Sequence, residues 1–579
     1  MKISKVVIEN YRNFENETIN FNNKSLIIGP NDVGKSNLIR ALRLVLDKSL
    51  SQIDIEPDEK DFNIYSDSDI FKIEIEFDDY DEIKDEHVMA SLGKYFSEEE
   101  KLKLTYIGYR NAEETFKIYI GDIEDENEAT SRFYLKTINL VYLNSTRNLG
   151  NYLKKGKERL IRRFKDSRTA EQVISDNEKN IEITNERQKI NNLIDSISYV
   201  SDSTSIIKKH LEDISIHNFN NDIKFNVVNG EINLEKNLEL VAFSNGRNIE
   251  IGGDGRNNQI YLTMWLEDIK YIDEINNQTT FFAIEEPEAH LHPTIQSMTL
   301  RKIINLLENQ VIVTTHSQQI ALEFEPNSII RLFYNRKLKT KVAKNGCSKD
   351  IEDGIIKMAY RNNIINAEMF FADVVFLVEG ISEKMLYQEV SKQLKFDIEK
   401  YNIVILSVEG VGFDIYTEIL DILGIPYVIR TDNDILKKRN GKFYCSGVLR
   451  LTKIYNKYVQ EKLTNILDDL EENILNKEQN QLLEKRRNDL EELGLYLADI
   501  DLENDLVNID TNNNLLSVIN TMENEQMNTS EIIDYMKSAK GLNMYKVINY
   551  GVDLSFISKS KLIKPLEKCI KLATSDEQE

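Results

Sequence analysis

Residues 25–36, Ser-Leu-Ile-Ile-Gly-Pro-Asn-Asp-Val-Gly-Lys-Ser, constrain the fold more than any other stretch of this chain. A short apolar run enters a loop of the form GxxxxGKS, and Leu38, Ala41, Leu42 and Val45 then recur at helical spacing. Strand, glycine-bearing loop and helix in that order define a phosphate-binding loop, which belongs to an α/β sheet. The glycines let backbone N–H groups turn toward phosphate oxygens, Lys35 reaches the terminal phosphates, and Ser36 suits Mg2+. Gly29, Asn31, Gly34, Lys35 and Ser36 are the expected contacts to ATP.

Further motifs follow in the order such a site requires. Phe281-Phe-Ala-Ile284 runs into Glu285-Glu286, where one carboxylate would hold Mg2+ through water and the other polarise the attacking water. His316, after Val311-Ile-Val-Thr-Thr315, matches a switch histidine that senses the γ-phosphate. Upstream, Phe71, Ile73, Ile75 and Phe77 alternate with polar residues as in a half-buried strand. Tyr106–Tyr109 and Phe116–Ile120 flank the polar NAEE segment, which predicts a hairpin. Residues 148–225 are charged, Asn-rich and free of Pro, and predict an inserted helical arm suited to partner contacts or dimerisation.

Two half-motifs separated by a long helical insertion resemble the ABC-type ATPases of the repair and chromosome-maintenance group. That resemblance implies a Ser-Gly-Gly signature donated to the bound ATP by a second protomer. Gly252-Gly253-Asp254-Gly255-Arg256 is the best match and lacks the Ser, and no Gln between Gln52 and Gln172 supplies the usual Q-loop. Both departures point to a site that binds ATP and hydrolyses it slowly.

A second chemistry begins at Val374-Val-Phe-Leu-Val-Glu-Gly-Ile-Ser-Glu383. Glu379 ends a buried strand, Gly380 turns the chain, and Glu383 falls in the first turn of the next helix. Asp432 and Asp434 follow a further strand, PYVIR, with NIVILSV between them, so the segment reads as a parallel βαβαβ unit. Carboxyl ends of parallel strands face one crevice, and carboxylates there suit Mg2+ or Mn2+ acting on a phosphodiester.

Strand-end Glu-Gly followed by Asp-x-Asp resembles the Toprim fold, and a Toprim behind an ABC-type ATPase is the arrangement of the OLD family of nucleases. Phe370-Phe-Ala-Asp-Val-Val-Phe-Leu-Val-Glu-Gly380 is close to the OLD-type entry into that domain. Ile500-Asp-Leu-Glu-Asn-Asp-Leu506 and Lys540-Gly-Leu-Asn-Met544 look like segments of the Gabija anti-phage branch. By that resemblance Glu503 and Asp505, with Asp501 a weaker match, complete a second metal site, and Lys540 stabilises transition-state charge. It also implies double-stranded DNA as substrate, a homo-oligomer (dimer or tetramer) and a helicase-like partner protein.

Composition sets outer limits. A chain of 579 residues exceeds one core and predicts two to four domains. No apolar run is long enough to span a membrane, and the amino terminus lacks a secretion h-region. Cys347, Cys445 and Cys569 form no CxxC pair, which argues against a zinc ribbon or disulfide framework and fits a cytoplasmic setting. A net charge of -24 disfavours non-specific DNA binding by the whole surface, although Lys154–Arg168 and Lys559–Lys571 are locally basic.

The expected architecture is α/β and multidomain. An ABC-type P-loop ATPase occupies 1–147 and 226–345, with the helical dimerisation insertion at 148–225. A connector at 346–366 leads to a Rossmann-like Toprim nuclease domain at 367–579, carrying a helical insertion at about 455–495. The leading functional expectation is a metal-dependent DNA endonuclease regulated by nucleotide, acting in anti-phage defence. A repair or recombination nuclease of the OLD family, and a non-cleaving ATP-dependent DNA clamp, remain the alternatives.

Overall fold

The computed structural model describes residues 1–144 (except 84 and 111–112), 159–205, 242–244, 247–249, 278–348 (except 290 and 336–338) and 367–574 (except 410–411, 461, 465–466 and 473–474). The chain divides into two compact units: Met1–Ser145 with Asn277–Glu288 and His292–Glu579, and Thr146–Asn276 with Ala289–Leu291.

In the first unit, β1 (Lys2–Tyr11), β2 (Phe14–Asn20), β4 (Ile70–Asp78), β5 (Leu102–Tyr109) and β6 (Phe116–Ile120) form an antiparallel sheet in the order β2-β1-β4-β5-β6. The alternation in β4 is the cause: Phe71, Ile73, Ile75 and Phe77 are fully buried while the residues between them face outward. The hairpin expected around residues 110–115 is β5–β6.

A second sheet runs β13-β12-β3-β11-β10-β7, from β3 (Lys24–Ile28), β7 (Ile138–Leu143), β10 (Thr279–Glu285), β11 (Val311–Thr314), β12 (Ile329–Tyr334) and β13 (Thr340–Val342). Its central strands are parallel, and every residue of β10 is buried, as a strand covered on both faces requires. The helix Lys35–Leu46 lays Leu38, Ala41, Leu42 and Val45 into a core shared with the first sheet.

A third, fully parallel sheet, β15-β14-β16-β19, comprises β14 (Val374–Val378), β15 (Ile403–Ser407), β16 (Tyr427–Thr431) and β19 (Leu495–Leu497). The three expected strands of the βαβαβ unit are all present, with β14 central. One side chain joins the second and third sheets' surroundings. Arg331 of β12 is buried, and its guanidinium donates to the carbonyls of Ala372 and Gly424, each at 3.2 Å.

The insertion expected to be helical at about 455–495 is only partly so among the described residues. Helix occupies only Lys477–Glu492, while Leu467 adopts a positive φ of 62° and Leu470 pairs with Phe443 as a β-bridge. Helical spacing of Leu463, Leu467 and Leu470 misled because the latter two bury against a hairpin, β17 (Ile435–Lys437) and β18 (Phe443–Cys445). Ile466 and Ile474 lie outside the described residues.

In the second unit, the helix Ala170–Asp195 starts at a Thr169/Gln172 capping box, in keeping with a helical arm. Ile174, Ile181, Ile190 and Leu193 are exposed on it. A short hairpin, β8 (Ala242–Ser244) with β9 (Arg247–Ile249), is also described. The glycine-rich segment 252–256 lies outside the described residues.

Two candidate sites at the carboxyl ends of parallel strands

The first site gathers the phosphate-loop residues. Gly29 has φ 151°, and a Cβ there would stand 2.4 Å from the Leu332 carbonyl oxygen, so only glycine fits. Gly34, at φ 109°, lies equally close to Asn13, whose amide donates to the Val33 carbonyl at 2.7 Å. Thr340 donates to the same carbonyl, so β13 also braces the loop. No side chain caps the helix Lys35–Leu46, which leaves its first-turn N–H groups for an anion. Lys35 is buried and donates to the carbonyls of Gly29 and Pro30; burial pulls its pKa down to about 8. Asn31 and Ser36 are exposed beside it.

Strand order brings the remaining expected residues alongside, since β3, β11 and β10 are neighbours. Glu285 ends β10, buried, with Oε1 lacking a hydrogen-bond partner and Oε2 accepting from the Tyr142 hydroxyl. Glu286 lies 3.6 Å from His316 Nε2, and burial lowers the imidazole pKa. Sequence reasoning missed Glu288, which accepts from the Thr315 hydroxyl and the His316 backbone N–H. It also missed Tyr142, whose ring lies 3.8 Å beneath the Arg43 guanidinium. Each of these acts through a neighbour, and neither contact leaves a spacing pattern in the sequence.

The second site lies at the carboxyl end of the Toprim sheet. Glu379 follows β14 directly, and its Oε2 accepts from the Thr431 hydroxyl, the Asp432 N–H and Arg450. Burial opposes its charge, but those bonds prevail and hold its pKa below the usual range. Asp432 is buried, its Oδ1 without a hydrogen bond and 3.8 Å from Arg430, and burial, then the charge of Glu383, pushes its pKa up to about 8. Asp434 is exposed, yet partial loss of water around its carboxylate and the charge of Glu379 raise its pKa. Lys540 stands 3.7 Å from Asp432 and 3.6 Å from Glu503, whose Oε2 is buried without a hydrogen bond. Asp432 and Glu503, distant in sequence, thus meet around one lysine.

Three expected ligands point elsewhere. Glu383 uses Oε2 to accept from the N–H groups of Glu379 and Gly380, capping its own helix, and Oε1 to accept from Arg430. Asp505 accepts from Arg430 and from the Asp499 N–H. Asp501 caps the helix Leu502–Ile509 and pairs with Lys537 at 2.6 Å. Arg430 is therefore the centre of a buried cage; its signal was a charge inside an otherwise apolar strand, PYVIRT. Arg450, on the helix Ser446–Tyr455, had no signal. Among the described residues, no three His, Cys, Asp or Glu side chains are gathered closely enough to form a metal cage as they stand. Cationic side chains are interleaved with the carboxylates instead.

Known proteins agree with this division. The model described as an AAA ATPase domain matches residues 1–321, and an Overcoming lysogenization defect protein-like Toprim domain matches residues 370–434. Endonuclease GajA of Bacillus cereus (strain VD045) is 25% identical over 95% of each chain. The Old nuclease of Escherichia phage P2 is 27% identical over 32% of this chain and 33% of its own. Among solved structures, the C-terminal region of the Burkholderia pseudomallei OLD protein aligns with 35% of this chain and 99% of its own, at 18% identity and a TM-score of 0.28. The chain belongs to the AAA ATPase domain family, whose model covers more than half of it, and with an OLD-like Toprim domain behind the ATPase it is an ATP-binding endonuclease similar to the OLD nucleases.

Proposed function

We propose that the chain is a metal-dependent DNA endonuclease whose cutting is governed by nucleotide at its ATPase site, and that it acts in defence against phage. The observation that carries this reading is the pair of buried carboxylate oxygens that accept no hydrogen bond, Asp432 Oδ1 and Glu503 Oε2, met instead by cationic side chains at 3.8 Å (Arg430) and 3.6 Å (Lys540). Buried oxygens without hydrogens to accept are expensive unless a cation meets them. Hard donors of this type fit Mg2+ or Mn2+, with Glu379, Asp432, Asp434 and Glu503 as the holders. A divalent ion bound there supplies the positive charge that phosphodiester hydrolysis needs at its attacking and leaving oxygens. Lys540 adds a charge-assisted donor, and Arg430, fixed by Glu383 and Asp505, sets the position of the Asp432 strand end.

Nucleotide control has a short route. The Leu332 carbonyl packs on Gly29, and the adjacent Arg331 grips Ala372, two residues before β14, which Glu379 follows. ATP governs cutting only by binding two arrangements of these parts with different affinity. In this reading bound ATP restrains the nuclease, and nucleotide depletion during infection releases it. The ABC-type design calls for an even-numbered homo-oligomer, and the similarity to endonuclease GajA supports internal cutting of a nucleic acid. Double-stranded DNA as substrate and a helicase-like partner belong to this reading through the resemblance to the Gabija branch.

Plasmid nicking with Mg2+ or Mn2+, EDTA controls and an ATP titration tests the reading. Cutting is expected with either metal, none with EDTA, and inhibition by ATP that disappears in Lys35→Ala. No cleavage with any divalent ion overturns the nuclease; stimulation by ATP, or indifference to it, overturns the restraint. An active monomer in light scattering overturns the assembly.

A further inference from the structure

We propose that the β17–β18 hairpin is a duplex-gripping finger, covered by an acidic segment of the same chain that competes with DNA for it. The inference rests on the nuclease reading above and adds where the duplex is held.

Residues 435–445, ILKKRNGKFYC, place four cationic side chains within six positions and contain no acid. The hairpin rises straight from the carboxylate site: Asp434 precedes Ile435, and the Asp434 carbonyl accepts from the N–H and hydroxyl of Ser446 at 2.9 and 3.0 Å. That pair of bonds clamps the base. At the tip the chain turns through Arg439-Asn440-Gly441, with Gly441 at φ 88° and the Lys438 N–H bonded to the Lys442 carbonyl at 2.7 Å. Nothing lies within 4 Å of where a Cβ on Gly441 would be, so the tip projects. Arg439 has no partner among the described residues, and Lys437 only faces the Phe443 ring at 5.6 Å.

The other two cations are covered. Leu467-Asp-Asp-Leu-Glu-Glu472 runs beside β18, with reciprocal backbone bonds between Phe443 and Leu470 at 2.8 Å. Leu467 and Leu470 are buried and anchor it. Its carboxylates meet the finger: Asp468 and Asp469 each lie 2.9 Å from Lys438 Nζ, and Glu471 lies 3.6 Å from Lys442 Nζ. These pairs are solvent-exposed and screened by water, so they hold weakly and yield to a better anion. A phosphate backbone is one, because each neutralised phosphate also releases condensed counterions.

Geometry fixes the reach. Arg439 lies five positions beyond Asp434, or about 17 Å along an extended strand. At 3.4 Å per base pair, the finger meets the backbone about five pairs from the reacting phosphodiester. Local cations of this kind also explain how a chain of net charge -24 holds DNA at all.

The test is fluorescence anisotropy of a labelled 30-base-pair duplex with the full chain in EDTA, at several salt concentrations. Lys437→Glu with Arg439→Glu should weaken binding at least tenfold and make the logarithmic salt dependence shallower by about two. Asp468→Asn with Asp469→Asn should tighten binding several-fold. Affinity within twofold of wild type for the first pair overturns the finger, and unchanged or weaker binding for the second overturns the acidic cover. A wild type that binds but never cuts plasmid in Mg2+ or Mn2+ defeats the nuclease reading alone, since the anisotropy still decides the hairpin.

Discussion

The ATPase and Toprim sites solve one topological problem with opposite electrostatics. Both stand where parallel strands end, the place an α/β sheet offers to ligands. In the ATPase site a single buried cation, Lys35, faces backbone carbonyls, and the loop is braced by the neutral amide of Asn13 and the hydroxyl of Thr340. In the Toprim site, acids and bases are locked together: Arg430 with Glu383 and Asp505, Arg450 with Glu379, Lys540 between Asp432 and Glu503. The carboxylates of the ATPase site, Glu285, Glu286 and Glu288, are held by Tyr142, His316 and Thr315 and not by guanidinium groups. The several carboxylates of the Toprim site need that counter-charge to exist together in a folded protein, because like charges at close range raise one another's pKa.

The largest test of that contrast is Glu379→Ala, which should reduce cleavage to background while folding and ATP binding persist. Cleavage at the wild-type rate under matched metal would remove Glu379 from the site. Next, Arg430→Met should destabilise the protein by about 3–5 kcal/mol, because Glu383 and Asp505 lose their buried counter-charge. Urea unfolding measures it, and an unchanged midpoint would show that the cage is not structural. On the ATPase side, Lys35→Ala should weaken ATP binding about 100-fold, a loss of about 2.7 kcal/mol read by calorimetry, with no change in unfolding midpoint. A destabilisation like that of Arg430 would erase the proposed difference between the sites. The smallest effect belongs to Tyr142→Phe: losing its hydroxyl on Glu285 should slow ATP turnover about tenfold, in the range of outer-shell changes, and leave ATP affinity unaltered. Equal losses in affinity would make Tyr142 a binding residue.

Local pattern carried most of the architecture. The phosphate loop, the alternation of Phe71 to Phe77 and the apolar runs at Val374, Ile403 and Tyr427 each became the strand or loop they predict. Their periodicity reflects burial on one or both faces, which is a local property. The insertion ahead of Lys477 was misread as helical because the three-residue spacing of the buried Leu467 and Leu470 also suits a chain that pairs with a hairpin. In the sites, residues adjacent to strand ends were legible, while partners were not. Arg450 meets Glu379 from seventy-one positions away, and Tyr142 meets Glu285 from 143. Such pairings depend on tertiary approach, and no single-sequence spacing encodes them. Glu383 shows a subtler limit: its position in the first helical turn suits a metal ligand and a helix cap alike, and the structure shows it bonded to the helix N–H groups.

Arg331 has a consequence for any attempt to take the molecule apart. Its guanidinium is buried among atoms contributed by both halves of the chain, and burial pulls its pKa down to about 10. A fragment ending at Ser348 would present that cation on a newly uncovered face, and a fragment starting at Ala367 would present the abandoned carbonyls of Ala372 and Gly424. The two pieces are thus mutual chaperones. Expressed separately they should be sticky and poorly behaved, whereas co-expressed they should find each other and copurify as a split protein, with Arg331→Glu breaking the complementation.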